Sequence, residues 1–412
     1  YIAQSYHERG MYFAARGYVF LTIDVRGRGN SAGDFTPLLQ EARDGHDVVE
    51  WLARQPYCDG KVSMWGGSYA GYDQWATAKE FPPHLATIVP VASPKPGVDY
   101  PMQHNMFYSY DTQWLTFVSG HTSQESIFGD SSFWSAQFRH WYEAHAPFAE
   151  LDRYIGNPSP IFQTWIAHPA QDAYWDGFSP TPAEYAKLAL PILTICGQYD
   201  GDQPGALAYY DEHMQHGSAA AKDRHYLVIG PWDHAGTRTP KADVGGLKFG
   251  KAALLDMNAL HKAWYDWTMK GAAKPDFLKD KVAFYVTGEE AWRYAPTLQA
   301  VTARRDTWYL DSVAAANNPG PDPSRGVVYA IAPSPLADGL VWAGTDDGRI
   351  WRTQDDGAHW NDVTPAALGA WSKVGMIEPS HSDAGTAYAA IDRHRLDDRS
   401  PYVYRTRDAC KS

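Results

Sequence analysis

One serine lies in the sequence context that turns a hydroxyl group into a nucleophile. Ser68 is the central residue of Gly66-Gly67-Ser68-Tyr69-Ala70, between a strand pattern and a helix pattern. The strand-to-helix turn of a G-x-S-x-G motif is sharp, so small residues are needed on both sides of the serine. Gly66 and Ala70 meet this need, with alanine in place of the second glycine. The motif predicts that Ser68 attacks a carbonyl carbon and that the Tyr69 N–H faces the oxyanion; the alternative is an ordinary helix-capping serine.

A nucleophilic serine requires a base, and the base requires an acid that orients it. Where this motif occurs, the partners follow in the order Ser, Asp or Glu, and His, on loops after later strands. Asp200 follows the strand pattern at 192–196, and His234 follows the strand pattern at 225–229. The sequence therefore predicts Ser68, Asp200 and His234 as a catalytic triad.

Two further carboxylates lie beside the predicted partners. Asp202 is two residues after Asp200, and Asp233 directly precedes His234. Two interpretations of Asp202 have equal weight. It lines the substrate pocket, where a carboxylate can bind a substrate ammonium group, or it is a solvated loop residue.

The elements that position these residues alternate between strand and helix patterns. Strand patterns occur at 17–24, 62–65, 85–92, 192–196 and 225–229, and helix patterns at 42–55, 69–79, 205–216 and 254–267. The first strand pattern is almost continuously apolar, which is typical of a strand buried on both faces. Strands that alternate with helices predict an α/β fold with a parallel sheet covered on both sides.

Residues 96–188 interrupt this alternation with a segment crowded with aromatic residues and helix patterns. We expect a helical cap in which most rings pack in its own core and some line a pocket over the end of the sheet. Residues 317–326 are rich in Pro, Gly and Asn, which indicates a linker. The chain beyond this linker has an all-β pattern.

Composition and charge exclude several classes of protein. The 412 residues include 36 Lys and Arg against 48 Asp and Glu, a net charge of −12 that argues against a nucleic-acid surface. No apolar run approaches the roughly 18 residues of a membrane span. The chain starts at Tyr1 without a signal-like segment, and both ends are interpreted as cuts in a longer protein, so no localisation is assigned.

No metal or organic cofactor is predicted. The cysteines Cys58, Cys196 and Cys410 lie far apart, which excludes a disulfide scaffold and a zinc module. His213 and His216 have a spacing that suits a metal on a helix, but no HExxH-like pattern accompanies them, so they are interpreted as surface residues. The glycine spacing in the loop at 26–33 differs from that of a dinucleotide-binding loop.

Taken together, the motifs resemble the family of cocaine esterase, X-Pro dipeptidyl-peptidase, α-amino-acid ester hydrolase and glutaryl acylase. The matching stretches are 17–18, 24–31, 60–62, 66–71, 197–200 and 230–234, spread over roughly residues 1–310. The resemblance implies an α/β-hydrolase core with Ser68 as nucleophile, Asp200 as orienting acid and His234 as general base. In that family a tyrosine hydroxyl upstream of the Asp-x-Arg-Gly loop also binds the oxyanion, for which Tyr1 is the candidate and Tyr6 the second choice.

The C-terminal part resembles a different family, the Asp-box repeats of sialidase-like and sortilin-like β-propellers. The stretch at 353–360 fits the repeat S/T-x-D-x-G-x-T/H-W, and residues 406–412 echo it. Asp boxes are structural hairpin turns, so no catalysis is assigned to them. Fewer than two propeller blades fit after Gly326, and a closed propeller needs roughly four to eight. The fold class expected is therefore α/β-hydrolase core, helical cap and a short propeller-like β segment.

These patterns predict a domain order and a function. We expect a hydrolase core at 1–95 and 189–300, a cap at 96–188, a remnant strand with a linker at 301–326, and incomplete propeller-like repeats at 327–412. The function expected is a serine hydrolase that cleaves an ester or amide bond of a small-molecule or peptide substrate through an acyl-enzyme. Peptidase, acylase and esterase activities remain open. The alternative is a non-catalytic propeller-type binding or scaffold protein with an inactive hydrolase part.

Overall fold

A computed structural model describes residues 2–301, 327–396, 398 and 400–408. The chain divides into two compact units, Tyr1–Ala303 and Arg304–Ser412. The segment expected to hold the remnant strand and the linker lies mostly outside the described residues, as do Tyr1 and Cys410. No helix among the described residues is both long enough and apolar enough to cross a membrane.

The first unit is built on a mixed six-stranded sheet. The strands described in this unit are β1 (Val62–Gly67), β2 (Leu85–Val91), β3 (Met102–Gln103), β4 (Met106–Phe107), β5 (Ile192–Tyr199), β6 (His225–Asp233), β7 (Asp243–Val244), β8 (Leu247–Lys248), β9 (Val282–Val286) and β10 (Ala291–Ala295). The central sheet has the order β1-β2-β5-β6-β9-β10. Its first five strands are parallel, and β10 is antiparallel to β9. The pairs β3–β4 and β7–β8 are separate two-stranded ladders.

Helices cover both faces of this sheet, and further helices lie in the segment between β2 and β5. They are α1 (Ile2–Ala14), α2 (Glu41–Ala53), α3 (Tyr69–Ala78), α4 (Tyr110–Phe117), α5 (Glu125–Phe128), α6 (Ser131–Glu143), α7 (Leu151–Tyr154), α8 (Pro160–Ile166), α9 (Ala173–Asp176), α10 (Pro182–Tyr185), α11 (Gln203–His216), α12 (Ala219–Lys222) and α13 (Met257–Lys270). One apolar cluster joins Phe13 of α1 and Trp264 of α13 to the sheet. A second joins α2, α3 and α11 to the sheet, with Trp75 stacked on Tyr209. The prediction of an α/β fold is therefore correct.

The strand expected at 17–24 does not form. These residues belong to no strand and pair with no other strand within residues 2–301. Tyr18 and Phe20 pack against the apolar cluster beneath α1 and α13, whereas Val19, Leu21 and Ile23 are exposed. A continuous apolar run is consistent with a strand buried on both faces, but burial of the second face requires a neighbour, and no described element supplies one.

Between β2 and β5 the chain forms the helices α4 to α10. Most of the aromatic side chains of this segment pack in one cluster with Tyr72 of α3, including Tyr100, Phe162, Trp165 and Trp175. The loop at 26–33, which the glycine spacing excluded as a cofactor loop, holds this segment against the core. The buried Arg28 donates through Nη1 to the Val118 carbonyl (2.6 Å) and through Nη2 to Ser123 Oγ (3.0 Å).

The histidine pair on α11 is not a surface pair. His213 is fully buried, and its Nδ1 lies 2.9 Å from Nδ1 of the buried His225. The Nε2 atom of His225 lies 2.8 Å from Thr194 Oγ1. Burial lowers the pKa of both imidazoles, so they stay neutral. The expected surface position of His213 is wrong because its face of α11 packs on the sheet.

The second unit consists of two antiparallel sheets. One has the order β11 (Val328–Pro333), β12 (Val341–Thr345), β13 (Ile350–Thr353) and β14 (Asn361–Asp362). The other has the order β15 (Lys373–Pro379), β16 (Ala387–Asp392) and β17 (Tyr402–Thr406). Both sheets contribute to one apolar cluster that includes Trp342, Val374 and Ile391. The described residues of this unit therefore form separate antiparallel sheets. The propeller-like arrangement of these sheets stays a prediction.

Candidate active site

Ser68 occupies the turn between β1 and α3. Its φ of 63° and ψ of −128° are outside the regions that side-chain-bearing residues usually occupy. Such a backbone persists only where its surroundings hold it in place, and strained residues of this kind concentrate at active sites. Here the Ser68 N–H donates to the carbonyls of Val91 (2.9 Å) and Ala92 (3.1 Å) at the end of β2. The turn has the geometry expected of a nucleophile elbow.

The small residues around Ser68 are required by close approaches in this turn. A Cβ atom on Gly66 would lie 2.5 Å from the Cβ of Ala70, and one on Gly71 would lie 2.8 Å from the Val91 carbonyl oxygen. Both distances are shorter than ordinary van der Waals contacts, so larger residues would force β1, α3 and β2 apart. Alanine in place of the second glycine is tolerated because its methyl group fits against Gly66.

Tyr69 begins α3, and its side chain ties the elbow to two other segments. The first N–H groups of a helix have no acceptor within the helix, so the Tyr69 N–H is available to an oxyanion. The Tyr69 hydroxyl donates to the buried carboxyl group of Glu41 and accepts from the Leu38 N–H (2.8 Å). Its ring stacks on Trp114 of α4, with 5.5 Å between ring centroids. Burial raises the pKa of the Tyr69 phenol, which stays protonated.

Asp200 and His234 lie at the ends of the neighbouring parallel strands β5 and β6. Tyr199 and Asp233, the residues directly before them, are paired in the strand register. The His234 Nδ1 atom is 2.8 Å from Asp200 Oδ1. The Asp200 side chain is fully buried, whereas 40% of the His234 side chain is exposed. A carboxylate on Nδ1 keeps the proton on that nitrogen and leaves Nε2 free to accept another.

The electrostatics of this pair favour a charged imidazole. Burial alone opposes protonation of His234, but the hydrogen bond to Asp200 and the negative charges of Asp202 and Asp200 outweigh it and raise the pKa of His234. The imidazolium that forms when His234 accepts a proton is therefore stabilised in place.

Asp202 is close to the same nitrogen. Its Oδ2 lies 3.6 Å from His234 Nδ1, and 21% of its side chain is exposed. Burial and, to a smaller extent, the charge of Asp200 raise the pKa of Asp202 to about 7, although His234 and Arg238 act to lower it. This carboxylate is thus partly enclosed beside the imidazole. Asp233 has a different contact, because its Oδ1 accepts from the Gly236 N–H (2.7 Å) and closes the turn after β6.

The serine and the histidine are not directly joined. Within residues 2–301 the Ser68 hydroxyl forms no hydrogen bond, to His234 or to any other group. Catalytic hydrogen bonds are often long in unliganded enzymes and shorten when substrate binds.

One oxygen each of Asp200 and Asp202 and one nitrogen of His234 lie within 4.8 Å of one another, so this group is also able to hold a metal ion.

Residues from the segment between β2 and β5 add buried acids that the sequence patterns did not reveal. Asp99 accepts from the N–H groups of Lys95 (2.8 Å) and Gly205 (2.5 Å), and burial with the charge of Asp202 raises its pKa to about 8. Asp111 is fully buried, and neither carboxyl oxygen has a hydrogen-bond partner among the described residues. Burial raises the pKa of Asp111. Single acids in a segment without a repeating pattern give no sequence signal.

Three other residues concern the oxyanion and the turn that carries His234. Tyr1, the expected second oxyanion donor, lies outside the described residues. The ring of Tyr6 packs edge-on against Trp65, with 6.3 Å between centroids. The sequence reading also missed Arg238, four residues after His234, whose side chain lies against Gly67. Gly67 occupies a position at which the G-x-S-x-G motif accepts any residue. A glycine there was the only sequence signal that another side chain lies against the backbone at this point.

The chain is similar in sequence to several known proteins. Residues 2–236 match the X-Pro dipeptidyl-peptidase (S15) family. The chain is 27% identical to a cocaine esterase from Rhodococcus over 336 residues, which cover 74% of this chain and 54% of that protein. It therefore spans about half the length of the curated relative it matches.

Two solved structures have a similar fold over more than two thirds of this chain. An α-amino acid ester hydrolase has a TM-score of 0.58 at 24% identity, over 69% of this chain and 48% of its own. An aminopeptidase from a marine sediment thaumarchaeon has a TM-score of 0.54 at 21% identity, over 70% of this chain and 49% of its own.

Proposed function

Because the chain belongs to the X-Pro dipeptidyl-peptidase (S15) family, we propose that it is a serine hydrolase that cleaves an ester or amide bond through an acyl-enzyme on Ser68. The observation that carries this proposal is the strained backbone of Ser68 in the elbow, together with the 2.8 Å His234–Asp200 pair on neighbouring strand ends. Parallel strands bring their carboxyl ends to one edge of the sheet, which is where α/β folds bind ligands.

The reaction follows from the roles of these groups. The Ser68 Oγ attacks the substrate carbonyl carbon while His234 Nε2 accepts the hydroxyl proton, and Asp200 stabilises the imidazolium. The oxyanion accepts a hydrogen bond from the Tyr69 N–H. His234 then returns the proton to the leaving oxygen or nitrogen as the bond to the carbonyl carbon breaks. Water enters, gives a proton to His234 and attacks the acyl carbon. As the bond from that carbon to Ser68 Oγ breaks, His234 returns the proton to Oγ, which releases the acid and regenerates Ser68.

Asp202 supports a narrower proposal about the substrate. Its carboxylate lies beside His234, and its charge contributes to the raised pKa of the buried Asp99. Buried carboxylates are stabilised in their charged form by a cation. An acyl group with a free α-amino group would supply that cation, which favours α-amino esters and dipeptide amines over plain fatty esters. Esterase, acylase and X-Pro dipeptidyl-peptidase activities share the same catalytic groups.

This narrower proposal is tested by comparing kcat/KM for an α-amino ester and its des-amino analogue in wild type and Asp202→Asn. We expect the variant to lose about 10- to 100-fold on the amino ester and much less on the analogue. Equal losses on both substrates would show that Asp202 does not bind the ammonium group.

The hydrolase proposal is tested by incubating the chain with a fluorophosphonate and locating the added mass. We expect one adduct per chain on the peptide that contains Ser68, with no adduct in Ser68→Ala. Absence of labelling in a folded wild-type sample would contradict the proposal and favour the alternative, a binding or scaffold protein with an inactive hydrolase part.

We propose in addition that the second unit contains two Asp-box repeats. Thr353 Oγ1 donates to Asp355 Oδ1 (2.8 Å) at the end of β13, and Thr406 Oγ1 donates to Asp408 Oδ1 (2.9 Å) at the end of β17. The same two-residue arrangement at corresponding strand ends supports an internal repeat of 53 residues, the length of a propeller blade.

A further inference from the structure

Two tyrosine hydroxyls join the loop before α2 to the elbow helix α3. The Tyr69 hydroxyl accepts from the Leu38 N–H (2.8 Å), and the Tyr72 hydroxyl donates to the Leu38 carbonyl (2.7 Å). Leu38 is buried and has a φ of 72°, a left-handed conformation that is uncommon for a residue with a side chain. Such a backbone persists only where its surroundings hold it in place. The two tyrosines, one turn apart on α3, supply that support.

Glu41, the first residue of α2, completes the anchoring of Tyr69. The Tyr69 hydroxyl donates to Glu41 Oε1, and Glu41 Oε2 accepts from the Gln40 N–H (3.0 Å). Glu41 is only 6% exposed. A buried carboxyl group costs free energy unless it is hydrogen-bonded, so these two donors hold it in place. The far end of the Tyr69 side chain is therefore fixed by an acceptor from α2 and a donor from the loop before it.

The ring of Tyr69 is also enclosed. It stacks on Trp114 of α4 at an interplanar angle of 30°, and the rings of Phe35 and Tyr72 lie 6.2 and 5.8 Å from it between centroids. Aromatic pairs at these separations add to the free energy gained from burial. A change of the Tyr69 rotamer would therefore break contacts with α2, with α4 and with the loop at 35–40.

The backbone of the same residue carries the N–H group assigned to the oxyanion. Tyr69 directly follows Ser68, whose φ of 63° is strained. A donor stabilises an oxyanion only when it lies within hydrogen-bonding distance of the place where the charge develops, so a small rotation of this peptide group would weaken it. A side chain that is fixed at its hydroxyl end resists such a rotation at its backbone end.

We propose that Glu41 is a positioning residue for the oxyanion site and that it acts through the Tyr69 side chain. Glu41 binds the Tyr69 hydroxyl, and the fixed side chain keeps the Tyr69 N–H directed at the oxyanion. The proposal rests on the function proposed above. The alternative is that the hydrogen bonds of α3 alone direct this N–H, in which case the Tyr69 hydroxyl contributes to stability and not to the reaction.

The test compares hydrolysis of a nitrophenyl ester with that of the matching thionoester, in which sulfur replaces the carbonyl oxygen. Sulfur is a weaker hydrogen-bond acceptor than oxygen, so the ratio of the two kcat/KM values reports on the donors of the oxyanion site. Both rates are measured on the same sample. The ratio therefore does not depend on the fraction of chains that are folded, and a loss of stability alone does not change it.

The variants remove one hydrogen bond from either side. In Glu41→Ala and in Tyr69→Phe we expect kcat for the ester to fall by about 10- to 100-fold, less than the roughly 10²- to 10³-fold cost of deleting an oxyanion donor, with KM changed by less than about 3-fold. The ester-to-thionoester ratio should fall by about 5-fold or more. Glu41→Gln keeps an oxygen that accepts from the Tyr69 hydroxyl, so it should restore the ratio to within about 3-fold of wild type. The double variant should lose little more than either single one, because both remove the same bond.

Two control variants separate this role from general loosening of the core. Tyr209→Phe removes a buried hydroxyl that lies 3.1 Å from Ser179 Oγ, in a different apolar cluster from that of Tyr69. It should lower the melting temperature and leave the ratio unchanged. Tyr72→Phe removes the other hydroxyl that binds Leu38. It should change the ratio less than Tyr69→Phe does, because Tyr72 carries no N–H of the oxyanion site.

The outcomes distinguish this inference from the function on which it rests. An unchanged ratio in Glu41→Ala and Tyr69→Phe, or an equal fall in Tyr209→Phe or Tyr72→Phe, would overturn the positioning role and leave Ser68 as the nucleophile. Absence of fluorophosphonate labelling of Ser68 in folded wild type would instead overturn the proposed function. If circular dichroism shows that Glu41→Ala does not fold, Tyr69→Phe decides the matter, because that variant removes a single oxygen atom.

Discussion

Replacement of Asp200 by asparagine should show that two carboxylates, Asp200 and Asp202, stabilise the His234 imidazolium. Loss of an orienting carboxylate costs roughly 10⁴ in kcat in the best-studied serine hydrolases, about 5 kcal/mol of transition-state stabilisation, because the imidazole takes the wrong tautomer. In this chain a second carboxylate remains. Asp202 Oδ2 lies 3.6 Å from His234 Nδ1, against 2.8 Å for Asp200 Oδ1. Since the Coulomb energy varies inversely with distance, Asp202 retains roughly three quarters of the attraction.

The expected losses therefore differ between single and double variants. Asp200 raises the pKa of Asp202 through its charge, so its removal favours the ionised form of Asp202. We expect kcat to fall by about 10²- to 10³-fold in Asp200→Asn, by less than about 10-fold in Asp202→Asn, and by about 10⁴-fold in the double variant.

The assay is hydrolysis of an activated ester at pH 8, with Ser68→Ala as the background rate and circular dichroism as the check of folding. A loss of 10⁴ in Asp200→Asn alone, with no further loss in the double variant, would show that Asp202 does not replace it. Full activity in Asp200→Asn would refute the assignment of Asp200 as the orienting acid.

Three further predictions concern other parts of the chain. Gly66→Ala should lower the free energy of unfolding by about 1–3 kcal/mol and slow the labelling of Ser68, because the new Cβ would lie 2.5 Å from that of Ala70. Ala70→Gly in the same chain should reverse much of both losses, as thermal melts and labelling rates would show. The value of kcat/KM should fall as the pH is lowered, with a midpoint above the ordinary histidine pKa of about 6.5. The reason is that the pKa of His234 is raised and only the neutral imidazole accepts a proton. A midpoint below about pH 6 would contradict this. Asp355→Ala should lower the unfolding temperature of the second unit in a thermal melt, because the hydrogen bond from Thr353 is lost, while the rate of ester hydrolysis is unchanged.

The parts of the fold that the sequence predicts well are those with a local cause. The strands that became β1, β2, β5 and β6 are short apolar runs bounded by loops, and their register places Asp200 and His234 side by side. The elbow is also local, because Ser68 and its small neighbours lie within five residues. The order of the strands and of the motifs along the chain was therefore sufficient to predict which residues form the candidate site.

The parts that could not be predicted depend on contacts between distant segments. The apolar run at 17–24 has the composition of a buried strand, but strand formation requires a partner that no pattern within the run specifies. Arg238 reaches Gly67 across more than 170 positions, and composition does not encode that contact. The same holds for the burial of Asp111, since one acid among aromatic residues has no periodic signature.

The most direct test of the proposed function is to trap the acyl-enzyme itself. The wild-type chain is mixed with an activated α-amino ester, quenched in acid within the first turnover, digested, and examined by mass spectrometry. We expect the acyl mass on the peptide that contains Ser68, at close to one group per chain, and none in Ser68→Ala. Turnover of the ester with no acyl group on that peptide, or with the acyl group on another residue, would contradict Ser68 as the nucleophile.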